Sequence, residues 1–486
     1  MSILASFVGT PREGQRSTLA ALEANWSSSD LFVVEAPTGS GKSHIALTVA
    51  RWAQKVHKQK SMLLVPNNVL LQQYLSENPK LATLQAKHSY ECKTLTGRGL
   101  NGIYSCKESA DIQGKTCKDC PYTIANRRIR AVPYGLVNYW TYLAHKLYPE
   151  ILIVDEAHNL LGMLREMAGK KLWRREYQYP DWVKDYRSVL RWVEQELEYR
   201  PTDTKLLLLR NDLVSGRNAF LVEKGTDLYR GHEQECLKML PIDTSKSPPL
   251  LWPSKVKKII LLSATIGVKD IEQLGLAKRR CSWLHSASPI PAPQRPFVQR
   301  REGFDLSYAA QGKDIPDLAQ ALKALLFKHT GERGLIHVTY SLMDALRAQL
   351  DSSPRLLWHT KENKKEKYTE FLNGPTDAVL LCAGLYEGID LPGDLGRFQV
   401  ITKVPWASLA EPAMKWLAET ERDRYTWETL RLVMQAAGRV CRGPTDYGIT
   451  YCLDRTFGNI PEEQMPAWFR ESVQAGEQLM RGEDVA

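Results

Sequence analysis

One eight-residue stretch, Ala36-Pro37-Thr38-Gly39-Ser40-Gly41-Lys42-Ser43, constrains this chain more than any other. Ahead of it, Leu31-Phe-Val-Val-Glu-Ala36 reads as a buried strand, and behind it an apolar-periodic segment from His44 to Val56 reads as a helix. Strand, glycine-rich loop, helix is the context in which backbone N–H groups and a helix N-terminus converge on a phosphate. Gly39 and Gly41 let the backbone approach, with Thr38 and Ser40 between and before them. Lys42 is placed to hold the β- and γ-phosphates of ATP, and the Ser43 hydroxyl to ligate Mg2+. Position 36 is Ala where the general pattern has Gly, so the strict pattern fails by one residue.

A second element completes the chemistry. Ile151-Leu-Ile-Val154 reads as a strand that ends at Asp155-Glu156-Ala157-His158. A carboxylate at a strand end can reach the magnesium, so Asp155 is the expected ligand, and Glu156 is placed to orient or deprotonate the attacking water. His158 is expected to couple this site to the rest of the motor. Near the far end, Gln435-Ala-Ala-Gly438-Arg439-Val-Cys-Arg442 puts two arginines three apart, and they are expected on one helical face. An arginine from a second domain can stabilise the transferring phosphoryl group.

The remaining apolar runs sort into two sets. Residues 61–65 read as a strand, Asn68 to Tyr74 as a helix, and Ile259-Ile-Leu-Leu262 as a strand ending at Ser263-Ala264-Thr265. After the proline-rich linker Pro289-Ile-Pro-Ala-Pro293 come strands at 334–338, 378–382, 398–401 and 448–452. Apolar strands alternating with helices indicate parallel sheets covered on both faces. The fold class is therefore α/β, with two parallel-sheet domains, the first carrying two insertions. A chain of 486 residues is long enough for two to four domains. Within the second insertion Val183, Tyr186, Leu190, Val193 and Leu197 fall at helical spacing. Its Trp173, Trp182 and Trp192 suit packing better than base stacking.

Four of the nine cysteines, Cys92, Cys106, Cys117 and Cys120, lie in the first insertion, between the two ATP elements. Thiolates in such a group bind tetrahedral zinc or an iron–sulfur cluster. Zinc ribbons usually show two close pairs, and here only Cys117 and Cys120 form one. Cys236, Cys281, Cys382, Cys441 and Cys452 are scattered and are expected inside the fold as small apolar residues. Residues 88–131 hold eight Lys/Arg against four acids, with Tyr90, Tyr104 and Tyr122 interleaved. That mixture suits a single strand of nucleic acid, or a solvated face over buried tyrosines. The net charge of +10 suits a polyanionic partner. No apolar run is long enough to span a membrane, and no export signal opens the chain, so a reducing cytoplasm is the expected compartment.

The order of these motifs resembles that of superfamily 2 helicases, and within them the XPD/DinG-like iron–sulfur DNA helicases. Pro11-Arg12-Glu-Gly-Gln15 looks like the glutamine motif that reads adenine, residues 36–43 like motif I, Val65-Pro66-Asn67 stands at motif Ia, and 154–159 looks like motif II. Leu262-Ser-Ala-Thr-Ile266 is similar to motif III, His337-Val-Thr-Tyr-Ser341 falls at motif IV, Gly384-Leu-Tyr-Glu-Gly-Ile-Asp390 resembles motif V, and residues 435–442 resemble motif VI. Val132-Pro-Tyr-Gly-Leu-Val-Asn138-Tyr139 looks like the chain leaving the family's cluster domain.

The resemblance implies RecA-like domain 1 at 1–87, 132–160 and 236–295, a cluster domain at 88–131, an arch-like helical insertion at 161–235, and RecA-like domain 2 at 296–486. It implies a 4Fe-4S cluster in preference to zinc, held by Cys92, Cys106, Cys117 and Cys120. Nucleotide contacts would come from Arg12, Gln15, Thr38 to Ser43, Asp390 and Gln435, with Arg439 and Arg442 sensing the γ-phosphate. The implied activity is ATP-dependent unwinding of duplex or forked DNA by a monomer moving 5′→3′ on single-stranded DNA, in a role such as DNA repair. The alternative is a translocase that remodels nucleic-acid complexes with little unwinding. The chain departs from the family in its short arch and its motif Ia wording, and no nuclease domain is expected before residue 1, unlike some DinG-type proteins.

Overall fold

Strands β1 (Leu31–Glu35), β2 (Ser61–Val65), β3 (Thr83–Leu84), β4 (Tyr134–Asn138) and β5 (Ile151–Val154) alternate with helices in the first half of the chain. The computed structural model describes residues 1–37, 39–92, 120–214, 220–229, 232–245, 251–306, 312–350, 353–383, 391–410 and 412–482. An antiparallel trio comes next, β6 (Lys170–Trp173), β7 (Phe220–Tyr229) and β8 (His232–Pro241), and then β9 (Lys258–Ser263) and β10 (Cys281–His285). The later strands are β11 (Phe297–Phe304), β12 (Gly334–Val338), β13 (Leu356–Trp358), β14 (Val379–Ala383), β15 (Phe398–Ile401) and β16 (Ile449–Asp454). By contacts the chain divides into two compact units, Met1–Ala36 with Ser40–Ser286, and Ala287–Ala486 with Pro37–Gly39.

The first unit holds a seven-stranded sheet ordered β10-β1-β9-β5-β2-β4-β3, every pair parallel. Its strands are apolar throughout because both faces are covered. Leu31, Val33, Leu64, Val137, Leu152, Val154, Ile259 and Leu261 belong to one core cluster. Their neighbours Phe32, Val34, Leu63, Val65, Leu136, Ile151, Ile153, Ile260 and Leu262 belong to another. Period-two alternation between two buried faces is what a doubly covered parallel sheet demands.

The second unit repeats the arrangement with a six-stranded sheet, β11-β16-β15-β12-β14-β13, again parallel. Ile336, Val338, Leu381 and Val400 face one core. Leu335, Leu380 and Cys382 face a second, and Ile401 and Cys452 a third. Two doubly covered parallel sheets, each with its helices, are two RecA-like motor domains in architecture.

The second insertion differs from its sequence reading in two respects. Among the described residues it holds three helices, Leu160–Ala168, α6 (Tyr186–Tyr199) and α7 (Thr204–Val214), but also the antiparallel sheet β6-β8-β7. The sheet runs on to Pro241, past residue 235. Its strands mix charged and apolar residues because one face packs on α6 while the other is wet, which hides them from a search for apolar runs. The insertion has a core of its own, with Val189, Trp192, Val193, Leu197, Leu209, Phe220, Leu237 and Met239. Trp192 packs edge-on to Tyr177 and Tyr179, whereas Trp182 is exposed. Of the scattered cysteines, Cys236, Cys382, Cys441 and Cys452 are buried, but Cys281 is exposed on edge strand β10. No helix among the described residues is long and apolar enough to cross a membrane.

Candidate active site

The phosphate loop leaves β1 and enters α2 (Lys42–Trp52). Gly39 and Gly41 both take φ of +79°, the left-handed region that only glycine adopts at little cost. A Cβ on Gly41 would stand 2.3 Å from Gln15 Nε2. Gln15 itself is buried in α1 (Glu13–Ala24); its Oε1 accepts the Arg12 backbone N–H at 3.0 Å, and its Nε2 donates to the Gly41 carbonyl at 3.5 Å. The glutamine motif therefore meets the Gly41 end of the phosphate loop within the first unit. Ser43 stands in the first turn of α2. Thr38 lies outside the described residues.

Strand β5 delivers Asp155 and Glu156 beside that loop. Lys42 Nζ sits 3.2 Å from Glu156 Oε1 and 3.4 Å from the Ala36 carbonyl oxygen. Burial pushes the Asp155 carboxyl up to about 6, and the neighbouring Glu156 charge adds to this, while Lys42 and a hydrogen bond from Tyr74 pull the other way. Glu156 takes φ of +48°, which turns the chain sharply after the strand. His158 Nδ1 lies 2.9 Å from Ser263 Oγ and 3.5 Å from Glu156 Oε2. Since Ser263 ends β9, His158 joins the acidic turn to the Ser263-Ala264-Thr265 segment. The donor set is a lysine, a serine hydroxyl, a buried carboxylate and two left-handed glycines. It fits magnesium nucleotide.

Two buried tyrosines, neither of them among the site residues expected from the sequence, hold this turn. Tyr74 Oη, on α3 (Asn68–Glu77), donates to Asp155 Oδ2 at 2.8 Å. Tyr139 Oη, opening α5 (Tyr139–His145; α4 is Pro121–Ala131), donates to the carbonyl oxygens of Asp155 and Glu156 at 2.7 and 3.1 Å. Each sits on an apolar helix face, where a tyrosine looks like ordinary core.

In the second unit, α8 (Arg422–Ala437) carries Gln435 and stops at Gly438. Arg439 and Arg442 are therefore not on a helical face as expected. Val440 pairs with Leu391 in a β-bridge, and Cys441 turns the chain with φ of +62°. Asp446 organises the turn. Its carboxylate accepts the N–H groups of Arg442 (2.8 Å), Gly393 (2.9 Å) and Tyr447 (2.9 Å) and pairs with Arg397 at 2.8 Å. Burial alone would raise its pKa, but the three N–H groups and Arg397 more than offset that and hold it below the usual value. Asp390 lies outside the described residues.

Asp446→Ala is expected to destabilise the second unit by about 3 kcal/mol, because a buried, fully paired charge is removed and its donors are orphaned. With its folded pKa lowered, the aspartate contributes fully above the unfolded value near 3.8 and loses its contribution as pH falls through the folded one. Urea unfolding above and below that range should show the gap between wild type and variant closing on the acid side.

Of the four candidate cluster ligands, Cys106 and Cys117 lie outside the described residues. Cys92 and Cys120 are buried. Cys120 directly precedes helix α4, whose Tyr122 and Ile129 enter the main core of the first unit. Tyr122 lies edge-on to Tyr90, and Lys87 Nζ stands 5.3 Å over its ring. Tyr122 is thus a packing residue rather than a base platform. Tyr104 lies outside the described residues.

The fold and the site together define a RecA-type ATP-hydrolysing motor. Comparison with known proteins narrows this further. Residues 325–472 match the helicase C-terminal domain family, and residues 9–189 match the type III restriction enzyme res subunit family. The chain is 22% identical to the ATP-dependent DNA helicase YoaA of Escherichia coli, over 91% of both chains. It is 27% identical to the XPD helicase subunit of general transcription and DNA repair factor IIH from Dictyostelium discoideum, over 22% of this chain and 16% of that one. A solved XPD helicase superposes over 96% of this chain and 98% of its own, with TM-score 0.62 at 16% identity. The solved Xpd4 from S. tokodaii superposes over 93% of this chain and 99% of its own, with TM-score 0.53 at 15% identity. Along its length the chain is thus similar to superfamily 2 helicases of the XPD-like kind.

Proposed function

We propose that this protein is an ATP-dependent DNA helicase that moves 5′→3′ along single-stranded DNA and separates duplex or forked DNA as a monomer in the cytoplasm. A 4Fe-4S cluster on Cys92, Cys106, Cys117 and Cys120 would stiffen the insertion at 88–131, which would act as the wedge. ATP and Mg2+ would be held by Gln15, the loop from Thr38 to Ser43, and Asp155, with Glu156 acting on the water. Arg12, Asp390 and Gln435 would complete the nucleotide pocket, and Arg439 and Arg442 would act on the γ-phosphate. DNA repair is the process such a motor suits.

The observation that carries this reading is the joined first-unit site. Gln15 meets the Gly41 carbonyl, Lys42 reaches Glu156, and His158 reaches Ser263. Four motifs remote in sequence converge there. Strand displacement on duplexes with a 5′ or a 3′ single-stranded tail tests it, using anaerobically purified protein. Unwinding is expected only from the 5′ tail. Unwinding from the 3′ tail overturns the polarity. Brisk DNA-stimulated ATP hydrolysis without strand separation would favour a remodelling translocase instead.

A further inference from the structure

We propose that Tyr74 is a positioning residue that fixes the magnesium-binding carboxylate of Asp155, an inference that rests on the ATPase reading above. Tyr74 is 1% exposed and Asp155 4% exposed. The two oxygens of the carboxylate each receive one fixed donor. Oδ2 takes the Tyr74 hydroxyl at 2.8 Å and Oδ1 the Glu156 backbone N–H at 2.9 Å. Two donors on two oxygens lock the rotation of the carboxylate plane and leave lone pairs on both for a cation. Burial and the nearby carboxylates raise the Tyr74 pKa well above its ordinary value, so it stays a neutral donor.

A phenylalanine would fill the same volume without bringing a buried hydroxyl that must be satisfied. The oxygen of Tyr74 is therefore explained by Asp155 and not by packing. The division of labour with Tyr139 supports this. Tyr139 holds only backbone carbonyls of the acidic turn, so it sets where the turn lies. Tyr74 sets where the carboxylate points. Partners that orient a metal ligand typically change metal affinity by about 10–100-fold when removed.

The test is a magnesium titration of wild type, Tyr74→Phe and Tyr139→Phe. Each is mixed with a fluorescent, non-hydrolysable ATP analogue, and binding is read by fluorescence with no turnover. Tyr74→Phe is expected to raise the half-saturating free Mg2+ about tenfold, with analogue binding in EDTA and the thermal midpoint close to wild type. Tyr139→Phe, which removes an equally buried hydroxyl from the same turn, should leave the Mg2+ midpoint within about twofold of wild type. A folded Tyr74→Phe with the wild-type Mg2+ midpoint overturns the proposal. Equal shifts in both variants overturn it too, because general softening of the turn would then explain them. Wild-type binding that is indifferent to magnesium overturns the ATPase reading itself.

Discussion

Lys42→Ala is expected to reduce DNA-stimulated ATP hydrolysis by about 10³-fold, the upper end of what one lost transition-state donor costs. The size of the effect comes from where the side chain sits. Lys42 Nζ lies 3.2 Å from Glu156 Oε1, so the cation meant for the phosphates and the carboxylate meant for the water are in one cluster. Removing the lysine takes away the charge proposed to accompany the γ-phosphate and also the cation 3.2 Å from Glu156. Two neighbouring carboxylates then repel an incoming triphosphate as well as each other. Turnover and nucleotide affinity should fall together. Glu156→Gln should behave differently, keeping Lys42 and binding ATP while hydrolysis falls. Steady-state turnover beside equilibrium binding of a labelled nucleotide separates the two. A Lys42→Ala protein retaining more than about a tenth of wild-type turnover would move catalysis away from this loop.

How far the sequence carried depended on the kind of signal. The parallel strands were legible because both faces are buried, so Leu31–Glu35, Ser61–Val65 and Ile151–Val154 are apolar almost without a break. The phosphate loop was legible because Gly39 and Gly41 occupy backbone conformations that other residues avoid. Less conspicuous were elements whose residues look ordinary. Strands β7 and β8 mix charged and apolar side chains with no regular period on a half-wet sheet. Strand β3 has two residues, too few for any pattern. The arginines of motif VI sit three apart, which mimics a helix, yet the helix ends at Gly438, and the carboxylate of Asp446 shapes the turn beyond it. Tyr74 and Tyr139 were invisible for the same reason, since only the third dimension shows that their hydroxyls end on Asp155 and Glu156.

Replacing Cys120 with serine is expected to remove iron and visible absorbance from anaerobically purified protein and to lower duplex unwinding at least about tenfold. DNA-stimulated ATP hydrolysis should change much less. The asymmetry comes from how the insertion is attached. Residues 93–119 enter after Cys92 and return at Cys120, and both of these cysteines are buried. A cluster closing that segment removes the entropy of a long loop, and the gain is folding free energy for the insertion. Without it the insertion loses its tie. Helix α4 still packs through Tyr122 and Ile129 on the first unit, and strand β4 still pairs with β2 and β3. The ATP elements hang from β1, β5 and β9, on the far side of β2 from that attachment. The motor therefore keeps its ATP chemistry and loses the rigid body that would split the duplex. Iron and acid-labile sulfide assays on wild type check the first half. If zinc replaces iron in stoichiometric amount, the cysteines form a structural zinc site, and the same serine variant should still lose unwinding. If unwinding survives without any metal, the insertion is not the wedge, and strand separation must be sought elsewhere on the motor.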